Sequence, residues 1–442
     1  MNSRIIANLG FLLQFAGTLT ILPIIVSMYL AESQALGPLL LTSLSFLIVG
    51  FLFNALCERK ELDFKSSCAL VLLAFLLMPL IGSMPYIFSD PFKSPNLVER
   101  LTNSYFESVS GFTTTGFSFI PNVDALPRSY LLYRSMTELM GGIGVVFLLL
   151  AFFHSRKSLN NLANGLGMES ISDNLKKVFY SVFIIYGACI MIFTAIFYIL
   201  GFRDLIRTGS YVIDTITGGY SPTANGFQMY LTVPAIVCTT VLMLLGSVNF
   251  SFNYQLFSLK LKRMFSKEIL LYIVIVLLGT GTISALTGKG ALDSLFHVVS
   301  MTSSTGYDYI GIPSFNDTVR SVFLLLMVLG GCSFSMAGGI KVSRILSFMR
   351  SVRRSIGGIV SQSGLIQEES EGAETRDFEN LSASVAILLF VATLITFSVL
   401  LSTMGISLTN ALFEVGSALT TNGFSTGATN VLMPTAYKWL LT

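Results

Sequence analysis

Ten apolar stretches approach the roughly 20 residues that a transmembrane helix requires, and no other feature constrains the fold of this chain as strongly. Their approximate limits are Ile5 to Leu30, Leu36 to Cys57, Ala69 to Phe88, Ser129 to Phe153, Val178 to Leu200, Leu231 to Leu256, Ile269 to Leu286, Val319 to Leu346 and Leu381 to Met404. The tenth begins near Met433 and stops at Thr442, too short to span. Only 12% of the residues are charged, about half the share found in an ordinary soluble chain. The first stretch is longer than a signal-peptide core and has no small-residue cleavage site, so it reads as a retained span. An all-α integral membrane protein is expected. Thirty-seven glycines lie in this apolar bulk, too many for packed soluble helices but suited to close helix crossings in lipid.

A formal net charge of +3 and the absence of any long run of like charge leave nothing for nucleic acid to bind. Cys57, Cys68, Cys189, Cys238 and Cys332 are scattered without a CxxC, which indicates neither a disulfide framework nor a zinc site. His154 and His297 are the only histidines, so a histidine-based enzyme is not expected. With the N-terminus inside, eighteen lysines and arginines fall on one side, around Arg4, Arg59–Lys65, Arg156–Lys177, Lys260–Lys267 and Lys341–Arg376. Eight fall on the other (Lys93, Arg100, Arg128, Arg203, Arg207, Lys289, Arg320 and Lys438), and Arg134 lies within a span. The excess marks the first side, and the N-terminus with it, as cytoplasmic.

From the third span onward each outer connection is about 30 residues long and carries a similar segment: Tyr105 to Ser118, Tyr211 to Ser221, Leu295 to Asp308 and Leu412 to Ser425. The inner connections differ from one another, so this is an internal repeat. Aligned on one glycine, the copies place Gly116, Gly219, Gly306 and Gly423 together. An aromatic follows each (Phe117, Tyr220, Tyr307, Phe424), and a hydroxyl residue stands two positions before each (Thr114, Thr217, Ser304, Thr421). Three copies share Phe106, Phe296 and Phe413 at minus ten and Ser110, Ser300 and Ser417 at minus six. The second copy lacks both, which makes its register the weakest.

Each copy reads as a half-membrane helix followed by a polar, glycine-bearing turn. Irregular backbone at membrane depth survives only where protein or a water-filled cavity lines it. Four copies on one side can surround one axis, with the negative ends of the pore-helix dipoles aimed inward at a cation. Carbonyls of the turns then replace its hydration shell, and glycine permits the required backbone conformation without a Cβ penalty. The aromatic after each glycine is expected to wedge the loop against the scaffold. Asp308, just beyond the third glycine, reads either as an acid concentrating cations at the mouth or as a solvated loop acid. Glu107 and Glu414 occupy one position in two pore helices; a buried acid bonding its own loop is favoured there over an ion ligand.

Gly330, Gly331, Gly338 and Gly339 enclose Cys332, Ser333, Phe334, Ser335, Met336 and Ala337 in the middle of a long span. Glycine costs about 1 kcal/mol relative to alanine inside a helix, so this composition predicts a broken segment. A tight helix crossing through small residues is the alternative, and placement directly after a pore loop favours the break. Lys341 and Arg344 follow it, facing either the pathway or a partner, or simply obeying the positive-inside rule. Arg350, Arg353 and Arg354 precede an acidic stretch, Gln367 to Glu379, that reads as a solvated linker or a docking surface. Arg134 and Glu138 stand four residues apart within a span, where a charge is expected to be paired or to line an aqueous face; a structural role is favoured.

The four segments, with Leu139 to Val146 after the first loop and Leu329 to Arg344 after the third, resemble the TrkH-type subunits of the Trk/Ktr/HKT superfamily of potassium transporters. The match covers nearly the whole chain from about Ala69, and the two leading spans resemble the extra N-terminal pair of that type. The resemblance implies four span–pore loop–span repeats around one pore. It divides the chain into an N-terminal two-helix extension (1–66), repeats at 67–157, 176–260 and 267–356, a cytoplasmic linker (357–379) and a fourth repeat (380–442). The selectivity filter is expected at Thr114, Thr115, Gly116, Thr217, Gly218, Gly219, Ser304, Thr305, Gly306, Thr421, Asn422 and Gly423, supported by Phe117, Tyr220, Tyr307 and Phe424. The segment from Gly330 to Gly339, with Lys341, becomes an intramembrane gate.

The resemblance further implies K+ as the bound, transported ion with no organic cofactor on this chain, pairing as a homodimer, and control by a cytosolic nucleotide-binding ring of the TrkA type. The setting is the prokaryotic cytoplasmic (inner) membrane. Relatives that pass sodium often have serine at the first filter glycine, and Gly116 favours potassium. Sodium permeation or H+- or Na+-coupled symport within the same superfamily is the alternative. A secondary transporter for an organic solute would predict inverted repeats and a midplane site, whereas these repeats share one orientation. Where the family's fourth unit ends in a complete helix, often with a pore-facing arginine, this chain stops at Lys438 to Thr442. Either a truncation or an incomplete fourth repeat is expected, and no arginine is carried over.

Overall fold

The computed structural model describes residues 3–56, 64–152, 175–223, 232–258, 266–311, 315–360 and 373–442. Arg59, Lys60, Arg156, Lys157, Lys260, Lys262 and Arg263, which carry much of the charge asymmetry, lie outside these residues, as do His154 and the linker at 361–372. Among the described residues every regular element is helical. The N-terminal extension comprises α1 (Ser3–Leu19), α2 (Ile21–Tyr29) and α3 (Ser33–Leu56). The first unit comprises α4 (Phe64–Gly82), α5 (Met84–Ser89), the half-length α6 (Leu97–Phe112) and α7 (Arg128–Phe152). The second runs through α8 (Leu175–Ile199), α9 (Leu205–Thr217), α10 (Val233–Ser247) and α11 (Phe250–Phe257). The third has α12 (Lys267–Thr287), α13 (Ala291–Thr302), α14 (Asp317–Leu329) and α15 (Val342–Val360). The fourth has α16 (Ala373–Thr403), α17 (Leu408–Leu419) and the seven-residue α18 (Thr435–Leu441).

Among the described residues, six helical runs are long and apolar enough to cross a membrane, including Arg4–Tyr29, Lys65–Ser89 and Leu381–Thr403. Leu388, Leu389, Ile395 and Val399 of α16 are exposed, as expected of a surface that meets lipid. The short helices begin where the sequence supplies a cap. Asn96 accepts from the Glu99 amide at 2.8 Å to start α6, Asp204 from Arg207 at 3.2 Å to start α9, and Ser407 from Asn410 at 3.4 Å to start α17.

Two apolar stretches are not straight spans. The expected helix from Leu231 to Leu256 turns through 118° between α10 and α11. Asn249 caps the new helix by accepting from the Phe252 amide at 2.8 Å, and the carbonyls of Gly246 and Ser247 turn outward to other partners. The stretch from Val319 to Leu346 stops at Leu329 and resumes at Val342, with the glycine-rich segment between them non-helical, as its composition predicts.

The N-terminal extension docks through glycine. A Cβ on Gly10 of α1 would lie 2.7 Å from the Gly50 carbonyl of α3, and one on Gly50 would lie 2.7 Å from the Gly10 carbonyl. Ser43 adds a hydrogen bond to the Gly17 carbonyl at 2.9 Å, the polar glue of a close crossing in lipid. A Gly50→Leu substitution is expected to force this crossing apart. It should lower the thermal midpoint of the detergent-solubilised protein by several degrees, about 1–3 kcal/mol for an overpacked site, as read by fluorescence-detected size exclusion after heating.

Candidate functional site

The three segments that share the minus-six serine end their pore helices in one way. After α6, the amide of Thr114 bonds the Gly111 carbonyl at 3.0 Å and that of Thr115 bonds Ser110 at 2.8 Å. After α17, Thr421 bonds Ala418 at 3.0 Å and Asn422 bonds Ser417 at 2.9 Å; after α13, Thr305 bonds Ser300 at 3.2 Å. This closing turn requires a left-handed residue just past the helix. Thr114, Ser304 and Thr421 take that conformation, with φ of 55°, 59° and 51°. Two residues on, Gly116, Gly306 and Gly423 are left-handed as well. The second segment lacks the serine and departs from the pattern. Its helix runs on to Thr217, and Gly218, not Gly219, takes the positive φ of 72°.

The four loops meet edge to edge in sequence order. A Cβ on Gly116 would overlap the backbone of Gly219, and one on Gly218 would lie 2.6 Å from the Ser304 carbonyl oxygen. One on Gly306 would lie 3.2 Å from the Asn422 carbonyl carbon, and one on Gly423 2.9 Å from that of Gly116. The fourth loop thus returns to the first, and the ring closes. Hydrogen bonds cross its seams: Ser304 Oγ donates to the Thr420 carbonyl at 2.9 Å, Asn422 Nδ2 to Met301 at 2.7 Å and Tyr307 Oη to Tyr220 at 3.1 Å. The aromatics Phe117, Tyr220, Tyr307 and Phe424 are all buried. No residue from Thr113 to Phe117, Thr217 to Tyr220, Ser303 to Tyr307 or Thr420 to Phe424 is acidic, so the ring's oxygen acceptors are carbonyls and hydroxyls.

Behind the ring, each pore helix but the second fastens the chain leaving its own loop. Glu107 accepts from Ser118 Oγ at 2.9 Å and the Phe119 amide at 3.0 Å. Glu414 accepts from Ser425 Oγ at 2.9 Å and the Thr426 amide at 2.6 Å. His297 stands at the same place in the third unit, and its Nε2 lies 3.0 Å from Asp308 Oδ1. Asp308 therefore does not stand free at the mouth: it also accepts from the amides of Ile310 and Gly311 at 2.8 and 3.0 Å. His297 was not singled out by sequence reasoning, although its alignment with Glu107 and Glu414 was available.

Arg134 and Glu138 do not pair with each other despite their helical spacing. Arg134 forms an ion pair with Glu107 at 2.9 Å and lies 3.9 Å from the centre of the Tyr220 ring. Glu138 accepts from Thr217 Oγ1 at 3.0 Å and from the Tyr220 amide.

The non-helical segment 330–341 crosses the space beside the ring and touches all four units. Cys332 and Met336 donate their amides to Ser247 at 2.9 Å and Gly246 at 3.1 Å, the carbonyls freed by the bend in the second unit. The Gly338 amide donates to Ser304 Oγ in the third loop at 2.8 Å. A Cβ on Gly338 would lie 2.6 Å from Thr421 Oγ1 in the fourth. In the first, Met336 Sδ and Thr114 Cγ2 both approach Gly142, at 3.6 and 3.7 Å from an added Cβ. Gly330 and Gly339 close the base of the segment, where a Cβ on Gly339 would lie 2.8 Å from the Gly330 Cα. Lys341 Nζ donates to the carbonyls of Ser335 and Ala337 within the segment. Ser333 is held by Glu268 of α12, which accepts from its amide at 2.6 Å, and by the hydroxyl of Ser343.

The family profile described as TrkH, cation transport protein, matches residues 42–274 and 265–439. The chain belongs to the TrkH family. An uncharacterized cation transporter of Methanocaldococcus jannaschii is 26% identical over 97% of this chain and 89% of its own length. The Trk system potassium uptake protein TrkH of Halomonas elongata is 23% identical over 100% of this chain and 95% of its own. The TrkH of Salmonella typhimurium is 25% identical, and the alignment spans 69% of this chain and 65% of that protein. The crystal structure of the potassium transporter TrkH from Vibrio parahaemolyticus superposes with a TM-score of 0.81 at 20% identity, covering 100% of this chain and 95% of that one. The fold of this TrkH family member is therefore that of the solved protein.

The ring predicts a contrast between glycines. Gly306→Ala places a side chain on a left-handed residue and into the Asn422 carbonyl, and should reduce tracer potassium flux by about tenfold or more. Gly187→Ala in α8, with nothing within 4 Å, should leave it unchanged. Both are read in proteoliposomes at matched protein.

Proposed function

We propose that this chain conducts potassium into the cell through the ring of four loops, with the segment 330–341 as its gate. The closed ring of carbonyl and hydroxyl groups, free of acidic side chains, is the observation that carries the reading. Such a set replaces the hydration shell of a weakly hydrated monovalent cation, whereas divalent ions call for carboxylates. Glycine at Gly116, and the potassium-uptake names of the Halomonas and Salmonella relatives, favour potassium over sodium. An inside-negative potential of about 100 mV supplies about 2.3 kcal/mol per charge, roughly 50-fold accumulation at about 1.4 kcal/mol per tenfold. Uptake then needs no covalent chemistry. The filter comprises the twelve expected residues, Thr114 to Gly116, Thr217 to Gly219, Ser304 to Gly306 and Thr421 to Gly423.

The segment boundaries inferred from the repeats serve as the working division of the chain. The charge asymmetry supports a cytoplasmic N-terminus in a prokaryotic inner membrane. Pairing with a second copy and control by a cytosolic nucleotide-binding subunit rest on family resemblance and on the "Trk system" naming of the relatives.

Two measurements test the reading. Proteoliposomes should take up potassium in preference to sodium when the interior is made negative; equal flux of the two ions overturns the assignment. Deleting Cys332 to Ala337 should raise potassium flux severalfold and weaken control by a cytosolic partner, and unchanged flux and regulation remove the gate.

A further inference from the structure

Among the described residues, the loop-fastening device present in three units is missing from the second. Ser210 occupies there the position of Glu107, His297 and Glu414, nine residues before the aligned glycine. Its hydroxyl has no hydrogen-bond partner among the described residues. The same loop lacks the closing turn of the other three: its helix ends with the Gly218 amide on the Asp214 carbonyl at 3.0 Å, and among the described residues no bond from its own pore helix reaches Gly219 or Tyr220.

We infer that Glu138, on the return helix of the first unit, is a positioning residue that fixes the second filter loop and so sets ion selectivity. The inference rests on the proposed potassium reading. Its carboxylate is fully buried and spans the loop from both ends, accepting from Thr217 Oγ1 at 3.0 Å before the glycines and from the Tyr220 amide after them. Gly218 and Gly219 are thereby held between two fixed points. A Cβ on Gly219 would lie 2.6 Å from the Glu138 carboxyl carbon, so the carboxylate backs directly onto the glycine. The charged neighbours of Glu138 are Arg134 and Asp214. Arg134 is already committed: it pairs with Glu107 and covers the Tyr220 ring. Glu107 in turn accepts from the chain leaving the first loop, and its own carbonyl accepts from the Tyr220 hydroxyl. One buried network therefore ties the first loop to the second. Within it Glu138 accepts directly from the Tyr220 amide, while Tyr307 Oη of the third unit donates to the Tyr220 carbonyl at 3.1 Å.

This role depends on length and on acceptor geometry, not on charge. Glu138→Gln keeps the reach, offers an oxygen to the Tyr220 amide and a donor to Thr217. Glu138→Asp keeps the carboxyl group and falls short of both. The ratio of potassium to sodium permeability, read from reversal potentials or paired tracer fluxes in proteoliposomes, is independent of the amount of active protein. Glu138→Gln is expected within about threefold of wild type, and Glu138→Asp to lose about tenfold or more of the ratio, the scale of a lost buried hydrogen bond. An unselective Gln variant beside a selective Asp variant overturns the inference, because charge and not position would then govern. Wild-type ratios in both variants overturn it equally. Should the Asp variant not fold, Thr217→Val, which removes one of the two bonds, is expected to lower the ratio, and a wild-type ratio there overturns the role. A wild type that does not discriminate defeats the potassium reading and this inference together; a discriminating wild type with indifferent variants defeats only Glu138.

Discussion

The structure depends on backbone touching backbone around a ring. Gly116, Gly218, Gly306 and Gly423 each abut the next loop closely enough that a Cβ would displace it, so the position of any loop is set by its neighbours as much as by its own helix. Such contacts have no side chain to flex and absorb error. The scaffold must therefore place four helix ends with little slack, which explains glycine where the return helices pass behind the ring. Gly141 of α7 presses on the Phe112 carbonyl that ends the first pore helix, and Gly246 of α10 on that of Ile216 in the second.

Close packing alone does not satisfy the polar groups that irregular backbone exposes in a membrane. Their partners are distributed by a simple rule: one break serves another. The bend between α10 and α11 frees the carbonyls of Gly246 and Ser247, and the amides of Met336 and Cys332 in the interrupted third-unit helix occupy them. The Phe250 amide at the start of α11 returns a bond to the Phe334 carbonyl at 3.1 Å. Neither break is stable without the other, since each unmet buried amide or carbonyl costs about 1–3 kcal/mol.

This division explains what the sequence made legible. The proposed filter segments were readable as repeats because their demands are local: a left-handed hydroxyl residue, a glycine two positions on, and a serine six before it recur at fixed spacing in three units. The acids Glu107 and Glu414 were readable as loop fasteners for the same reason. The bend at Val248 and Asn249 was not, because a single capping asparagine inside an apolar run barely alters its hydropathy. The structural role favoured for Glu138 left its partners open, because helical spacing offers only Arg134, while the groups it binds lie about 80 residues away in another unit. Non-local contacts leave no periodic trace, and the second loop is the one held non-locally.

The same bonds bear on how the proposed gate and the filter communicate. Ser304 Oγ accepts from the Gly338 amide and donates to the Thr420 carbonyl, so one hydroxyl belongs to the gate and to the seam between the third and fourth loops. Withdrawing the segment frees that hydroxyl and leaves the amides of Cys332, Met336 and Gly338 without acceptors. In a dry interior those losses would add and hold the segment in place. In a filling pore, water supplies the missing partners at little cost. The segment is anchored mainly by polar bonds of a kind water can replace, with Lys341 keeping it folded on itself. On the proposed gate and filter, opening and hydration of the pathway are one event, and the seam between the third and fourth loops registers it through Ser304.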